Sequence, residues 1–336
     1  MSEAMTPYDR TYRRMAGEPV DRLPNQNILM AFAARFIGST YDRLAQDHRV
    51  LVEGNLRAIE AFHIDWASVI SDPMREASAF GATVEFPYDR VPYSPTPLLA
   101  TYADWSKLAL WDPWEHERTR DRLQAVELYR HKVGGYYPVF GWVEGAAAEA
   151  ADLRGVAALM EDLLTEPGAA HDLLEICTQA AISFATAQVE AGADMIGVGD
   201  AVTSLMSPRL YREFALPYEQ RIIEAIHGAG AKVKLHICGN TSRHLPDMAK
   251  SGADIIDVDW MVDMGEAVRA FVGHSANGNY DPVAVLYQGT PQDVAHAVRR
   301  CLAVADDRSM ISAGCEVPVD TPHENLLAHY EALRTA

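Results

Sequence analysis

The sequence predicts an α/β protein built as a (β/α)8 barrel of the TIM type, with a short helical extension at the N-terminus. Three observations carry that expectation. Eight strand candidates alternate with helical stretches, which argues for parallel βαβ units. Several of the intervening helices have legible start signals. Polar residues gather at the C-terminal ends of the strands: Asp72, Glu144, Asp200, His236 with Cys238, Asp259 and Cys315. In a barrel those ends converge on one mouth, where active sites sit. In a doubly wound sheet, the alternative, they would spread along a line. The 336 residues suit a single barrel domain with insertions, residues 1–336.

Residues 1–23 form the helical extension, read as one or two amphipathic turns. Pro24–Met30 is the first strand candidate, and Asp65–Ile70 the second, with the helix Arg49–Phe62 between them. Residues 73–135 break the rhythm. Proline, aromatic and charged residues are dense there (Phe86-Pro87-Tyr88, Trp111-Asp112-Pro113-Trp114), so this excursion is expected to cover part of the barrel and to include a charged helix near Glu115–Tyr129. Strand candidates then follow at Tyr136–Glu144, Ala193–Asp200, Lys232–Cys238, Asp254–Asp259, Phe271–Asn277 and Ser309–Cys315. Helices are expected at Leu153–Leu164 and His171–Ala191. The second carries Leu173, Ile176, Ala180, Phe184 and Ala187 at spacings of three and four, one apolar stripe. Ser207-Pro208, Thr290-Pro291 and Thr321-Pro322 each place a capping hydroxyl before a helix-starting proline. Glu324 adds a capping-box spacing to Thr321.

Composition excludes several functions. A formal charge of −18 repels phosphate backbones, so no nucleic-acid partner is expected. No apolar run reaches the ~18–20 residues of a membrane span, and the charged N-terminus lacks the apolar core of a secretory signal. No membrane partner and a cytoplasmic location are the expectation. Neither phosphate-loop template nor G-x-S-x-G is present, which leaves nucleotide cofactors and serine hydrolysis unsupported.

The chemistry centres on Lys234-Leu235-His236-Ile237-Cys238-Gly239-Asn240. Alternation along a strand points His236 and Cys238 to one side, and imidazole and thiolate are preferred zinc donors. Cys315 ends another strand, after Gly314. If both strands open on one mouth, the three make a His-Cys-Cys zinc set with a fourth position free, the mark of a catalytic metal. A buried histidine beside a buried thiol is the bland alternative. Cys177 and Cys301 fall on apolar helix faces and read as core thiols. Glu144, Asp200 and Asp259 are the candidate catalytic carboxylates, for substrate positioning, displaceable ligation or proton handling. The bland reading has them capping helices or pairing with arginines. Asp257 and Asp259 share a strand face, so at most one is expected at the rim. Asp72, Asn279 and Tyr280 are the candidate substrate-binding residues, the last two within the strand end and turn Asn277–Pro282.

These residues also form a pattern. His236-Ile237-Cys238-Gly239, Ser251-Gly252-Ala253-Asp254-Ile255-Ile256-Asp257, Gly278-Asn279 with Asp281-Pro282, Gly289-Thr290-Pro291 and Gly314-Cys315-Glu316-Val317-Pro318 resemble the uroporphyrinogen decarboxylase superfamily. Within it they look most like the zinc-dependent methyltransferase branch that includes methylcorrinoid:coenzyme M methyltransferases. The resemblance implies zinc held by His236, Cys238 and Cys315, and methyl transfer between a corrinoid (cobalamin) and a small thiol, folate, methoxylated or methylamine compound. No D-x-H-x-x-G motif is present, so the corrinoid is expected on a corrinoid-binding partner protein. The decarboxylases carry an arginine-rich R-Q-A-G-R segment near the N-terminus. Pro24–Met30 stands there without an arginine, which argues against porphyrinogen decarboxylation. The rivals are a decarboxylase or other lyase on the same barrel, and a non-catalytic module that docks a corrinoid protein.

Overall fold

A computed structural model describes residues 5–105 and 108–335. Six strands form one all-parallel sheet in sequential order: β1 (Ala67–Ser68), β2 (Val139–Glu144), β3 (Met195–Gly199), β4 (Lys232–His236), β5 (Ile255–Val258) and β6 (Ser275–Gly278). They read as near-continuous apolar runs because both faces are buried: Phe140, Ile196, Leu235 and Ile256 are fully enclosed. The helices between the strands pack on the outside, as in the stripe of Pro167–Glu190, where Leu173, Ala180, Phe184 and Ala187 are buried.

Two of the eight expected strands are not regular strands. Beyond β6 the expected strand Ser309–Cys315 joins by single parallel bridges, Asn277 to Met310 and Tyr280 to Ala313. Pro24–Met30 makes no ladder. Pro24 has no N–H to give, and Asn25, Gln26 and Asn27 are all buried polar residues whose side chains compete for backbone partners. Asn27 Oδ1 accepts from Ala313 N at 2.8 Å, Ile28 O accepts from Val317 N at 2.7 Å, and Asn25 O accepts from Asp65 N at 2.8 Å. The segment therefore lies between the start of β1 and the Cys315 segment. It closes the ring through scattered hydrogen bonds rather than through a strand.

The helices adjust the expectation in three places. The N-terminal helix runs Pro7–Ala16, capped by Thr6. The expected Leu153–Leu164 helix is two, Ala146–Arg154 and Val156–Thr165, divided at Gly155, whose φ of 89° ends the first. Ser207 caps its helix, and Thr290 forms a full capping box with Asp293. The box expected at Thr321 and Glu324 is absent. The last helix starts at His323 with Pro322 as its cap residue, one position too late for the Thr321 hydroxyl to reach the first turn. In the excursion, Met74–Ala79 and Glu117–Val133 are helical, and an antiparallel bridge pairs Glu85 with Tyr93. Among the described residues, no helix is long and apolar enough to cross a membrane.

Candidate metal centre

β4 ends at His236, and Cys238 follows in the turn closed by Gly239. The donor atoms of His236, Cys238 and Cys315 lie within 4.8 Å of one another, with Cys315 Sγ 3.9 Å from His236 Nε2. Metal–ligand bonds of about 2.0–2.3 Å in a tetrahedron would separate donors by roughly 3.5–3.8 Å, so this set fits zinc. The two glycines that flank it are sterically required. A Cβ on Gly314 would stand 2.5 Å from Trp260 N, and one on Gly239, where φ is +95°, would stand 2.8 Å from Ser204 Oγ.

The imidazole is oriented from behind. His236 Nδ1 lies 2.8 Å from Asp257 Oδ2, which leaves Nε2 facing the cysteines. Burial opposes a charge on His236, but its bonds to Asp257 and Cys238 outweigh that and raise its pKa to about 10. Hydrogen bonding from Cys315 and the neighbouring imidazolium, against burial, bring Cys238 down to about 4. Cys315 moves up because it gives that hydrogen bond and is buried. Metal binding at such a set releases protons from its donors. Asp257 is not among the expected site residues; at most one of Asp257 and Asp259 is expected at the rim, and the structure sets Asp257 behind His236 and Asp259 on the Cys238 turn. The signal was present: alternation in β4 and β5, whose register pairs Leu235 with Ile256, turns Lys234, His236 and Asp257 into the barrel together.

Asp259 braces the cysteine turn. Its Oδ2 accepts from Gly239 N at 2.9 Å and its Oδ1 from Met261 N at 3.1 Å. Burial raises its pKa, and the nearby Cys238 adds to the shift. Glu144 stands beside the centre through the ladder: it pairs with Gly199, which pairs with His236. A Cβ on Gly199 would be 3.2 Å from both Glu144 Oε2 and Trp142 Nε1, and the Trp142 ring lies 6.0 Å from the His236 ring. Burial lifts the Glu144 pKa to about 8, although Arg75 Nη2 donates to its Oε1 at 3.1 Å.

The structure places the other expected residues elsewhere. Asp200 turns away from the mouth. Its Oδ1 accepts from Ala148 N at 2.7 Å and so caps the helix Ala146–Arg154, while burial and the adjacent Glu219 raise its pKa. Asp72 is enclosed by Arg118 (2.6 Å), Ser71 (2.8 Å) and Met74 N (3.0 Å). Asn279 donates to the carbonyls of Asp259 and Val262, and the Tyr280 hydroxyl meets His329 Nδ1 at 2.9 Å. These four side chains are spent on internal bonds; Asp200 caps a helix, as the alternative reading of the carboxylates has it. A second group of possible metal donors, Asp47, His48 and Asp121, is already committed: Asp47 caps a helix, and Asp121 pairs with His48 and Arg122.

The family model described as uroporphyrinogen decarboxylase (URO-D) matches residues 6–336, and the chain belongs to that family. It is 30% identical over 328 residues to the methylcobamide:CoM methyltransferase MtbA of Methanosarcina acetivorans, covering 96% of this chain and 95% of that protein. It is also 30% identical over 319 residues to the uroporphyrinogen decarboxylase of Xylella fastidiosa, covering 88% and 86%. A solved structure of a methyltransferase from Methanosarcina mazei superposes with a TM-score of 0.90 at 25% identity over 98% of both chains. A B12-independent methionine synthase from Shewanella, at 16% identity and a TM-score of 0.62, shares the fold.

Proposed function

We propose that this chain is a zinc-dependent methyltransferase, moving a methyl group between a corrinoid carried by a partner protein and a small substrate. A thiol is the acceptor that best suits the site; a folate, methoxylated or methylamine compound would serve where the chain works from donor to corrinoid. The observation that carries the reading is the three-donor set of His236, Cys238 and Cys315 at the strand ends, with no fourth His, Cys, Asp or Glu in the same cluster among the described residues. Bound there, zinc would supply an open position at which a thiol loses its proton near neutral pH. The relatives named as methylcobamide:CoM methyltransferases support the corrinoid as the methyl carrier.

The chain's own residues have separable parts in this reading. Asp257 orients His236, and Asp259 holds the Cys238 turn. Glu144 Oε2, beside Gly199 and Trp142, is placed to take or return the substrate's proton, with a pKa of about 8 close to the working range of a general base. Leu205, Trp260 and Met261 are exposed on the segments after β3 and β5, and give the mouth an apolar rim for the corrinoid partner. Decarboxylation of a polycarboxylate suits the site less well. Arg75 is paired to Glu76 and Glu144, and Arg118 spends its Nη2 on Asp72, so the charge of each buried arginine is already balanced by the chain's own carboxylates.

The test is zinc-loaded protein with methylcobalamin and a panel of thiols, followed by the cobalt absorbance change and the methylated product. Turnover is expected to need zinc and to vanish in Cys238→Ser and Cys315→Ser. Turnover unaffected by those substitutions would refute the zinc role. Absence of turnover with thiols, folates, methoxylated compounds and methylamines alike, in both directions and with corrinoid protein supplied, would refute methyl transfer.

A further inference from the structure

The interior of a barrel of this kind is ordinarily filled by layers of Val, Ile and Leu. Directly behind the metal centre one layer is polar instead. Lys234 from β4, Asp257 from β5, Asn277 from β6 and Ser312 from the segment that leads to Cys315 are all buried there. Asp257 and Asn277 are register partners, and Met310 bridges to Asn277 from the other side, so the layer crosses consecutive staves.

The hydrogen bonds converge on the Asp257 carboxylate from both sides. Ser312 Oγ donates to Asn277 Oδ1 at 3.1 Å. Asn277 Nδ2 donates to Asp257 Oδ1 at 2.7 Å. Asp257 Oδ2 meets His236 Nδ1 at 2.8 Å. The amide orientation follows from the chemistry, since the flipped amide would set its oxygen against a carboxylate and its NH2 against the serine. Lys234 Nζ lies 3.2 Å from Asp257 Oδ1, 3.3 Å from Gln26 Oε1 and 4.5 Å from the centre of the Trp66 ring, and balances the buried carboxylate. A network of this kind is not needed for stability alone. Apolar side chains of similar volume would fill the layer at no net cost.

We infer that Asn277 is a positioning residue of the metal centre: it fixes the Asp257 carboxylate in the rotamer that receives the His236 Nδ1 proton, and couples that setting to the Cys315 segment through Ser312. The inference rests on the zinc reading above and adds to it a link between two of the three donors. Without Asn277, Asp257 keeps its charge partner Lys234 but loses the amide that fixes its tilt. His236 is then free to rotate away from the cysteines.

Asn277→Leu keeps the size and removes both hydrogen bonds. Zinc affinity, measured by competition with a chromophoric chelator, is expected to fall about 10-fold or more, the usual cost of losing a group that orients a ligand. The visible spectrum of the cobalt(II)-substituted protein is expected to shift as the histidine geometry loosens, a change that a purely structural role would not produce. Ser312→Ala frees the amide without removing it, and is expected to lower zinc affinity by a few-fold; it also serves if Asn277→Leu does not fold. Folded variants that bind zinc within twofold of the parent, with an unchanged cobalt spectrum, would overturn the inference while leaving the methyltransferase reading intact. A parent that binds no zinc would overturn both. A parent that binds zinc but transfers no methyl group would sink only the methyltransferase reading.

Discussion

Replacing Glu149 by glutamine should make the protein more stable at neutral pH, and the size of the gain should depend on pH in a defined way. Glu149 lies on the helix Ala146–Arg154, is 2% exposed, and neither carboxylate oxygen has a hydrogen-bond partner among the described residues. Burial raises its pKa well above 4.5, and the charges of Glu76, Asp152 and Glu144 push it further in the same direction. The folded chain therefore holds a proton at this position that the unfolded chain gives up above about pH 4.5. Stability from that proton is fully present below the unfolded value and is lost as pH rises toward the folded one. The slope is about −1.4 kcal/mol per pH unit for each such group. Glu149→Gln would not suffer that loss, so each pH unit between the unfolded and folded values adds about 1.4 kcal/mol to the difference between variant and parent. The assay is urea unfolding of parent and variant at pH 5, 6, 7 and 8, taking the difference at each pH so that titrations shared by both proteins cancel. The variant should gain relative to the parent as the pH rises above the unfolded value. A difference that stays flat, or that shrinks as pH rises, would show that Glu149 ionises normally in the folded protein and would refute the reasoning.

Three further outcomes are expected. Asp257→Asn removes the charge that orients His236, and should weaken zinc binding by about 10–100-fold, read by chelator competition; unchanged affinity would separate Asp257 from the metal centre. Gly314→Ala drives a Cβ to within 2.5 Å of Trp260 N, a backbone atom that cannot swing aside, so stoichiometric zinc binding should be lost while circular dichroism shows the helices intact. Asp200→Ala leaves Ala148 N buried without its acceptor, at a cost of about 1–3 kcal/mol, and should lower the melting temperature by a few degrees with zinc affinity unchanged; a collapse of zinc affinity would return Asp200 to the metal centre.

The barrel rhythm was legible because strands buried on both faces and helices buried on one leave different periodicities, and those in the stretch Val139–Gly278 are strong. The first and last staves were not, for a local reason. Asn25, Gln26 and Asn27 carry enough side-chain hydrogen-bonding capacity to replace a ladder, and a strand pattern gives no warning of that substitution. The same distinction explains the site. Alternation predicts which way a side chain points while the residue is in a strand, and it brought His236 into line with the cysteine that follows it. Past the last strand residue the turn decides. Asp200 follows Gly199 with φ −131° and ψ 51°, and its carboxylate swings to the neighbouring helix end instead of the mouth. Asp72, Asn279 and Tyr280 lie likewise outside the strands, where sequence gives their chemistry but not their aim. Asp257 was the converse case. It lies within β5, and its inward direction followed from the alternation that found His236.

If His236, Cys238 and Cys315 hold a zinc ion with one position open to substrate, X-ray absorption at the zinc edge will register it on zinc-loaded protein with and without an added thiol. Two sulfur donors from the chain, together with nitrogen and a lighter fourth donor, are expected to become three sulfurs when the thiol is added. A spectrum that shows a site already closed by four protein donors, and unchanged by the thiol, would contradict the open position.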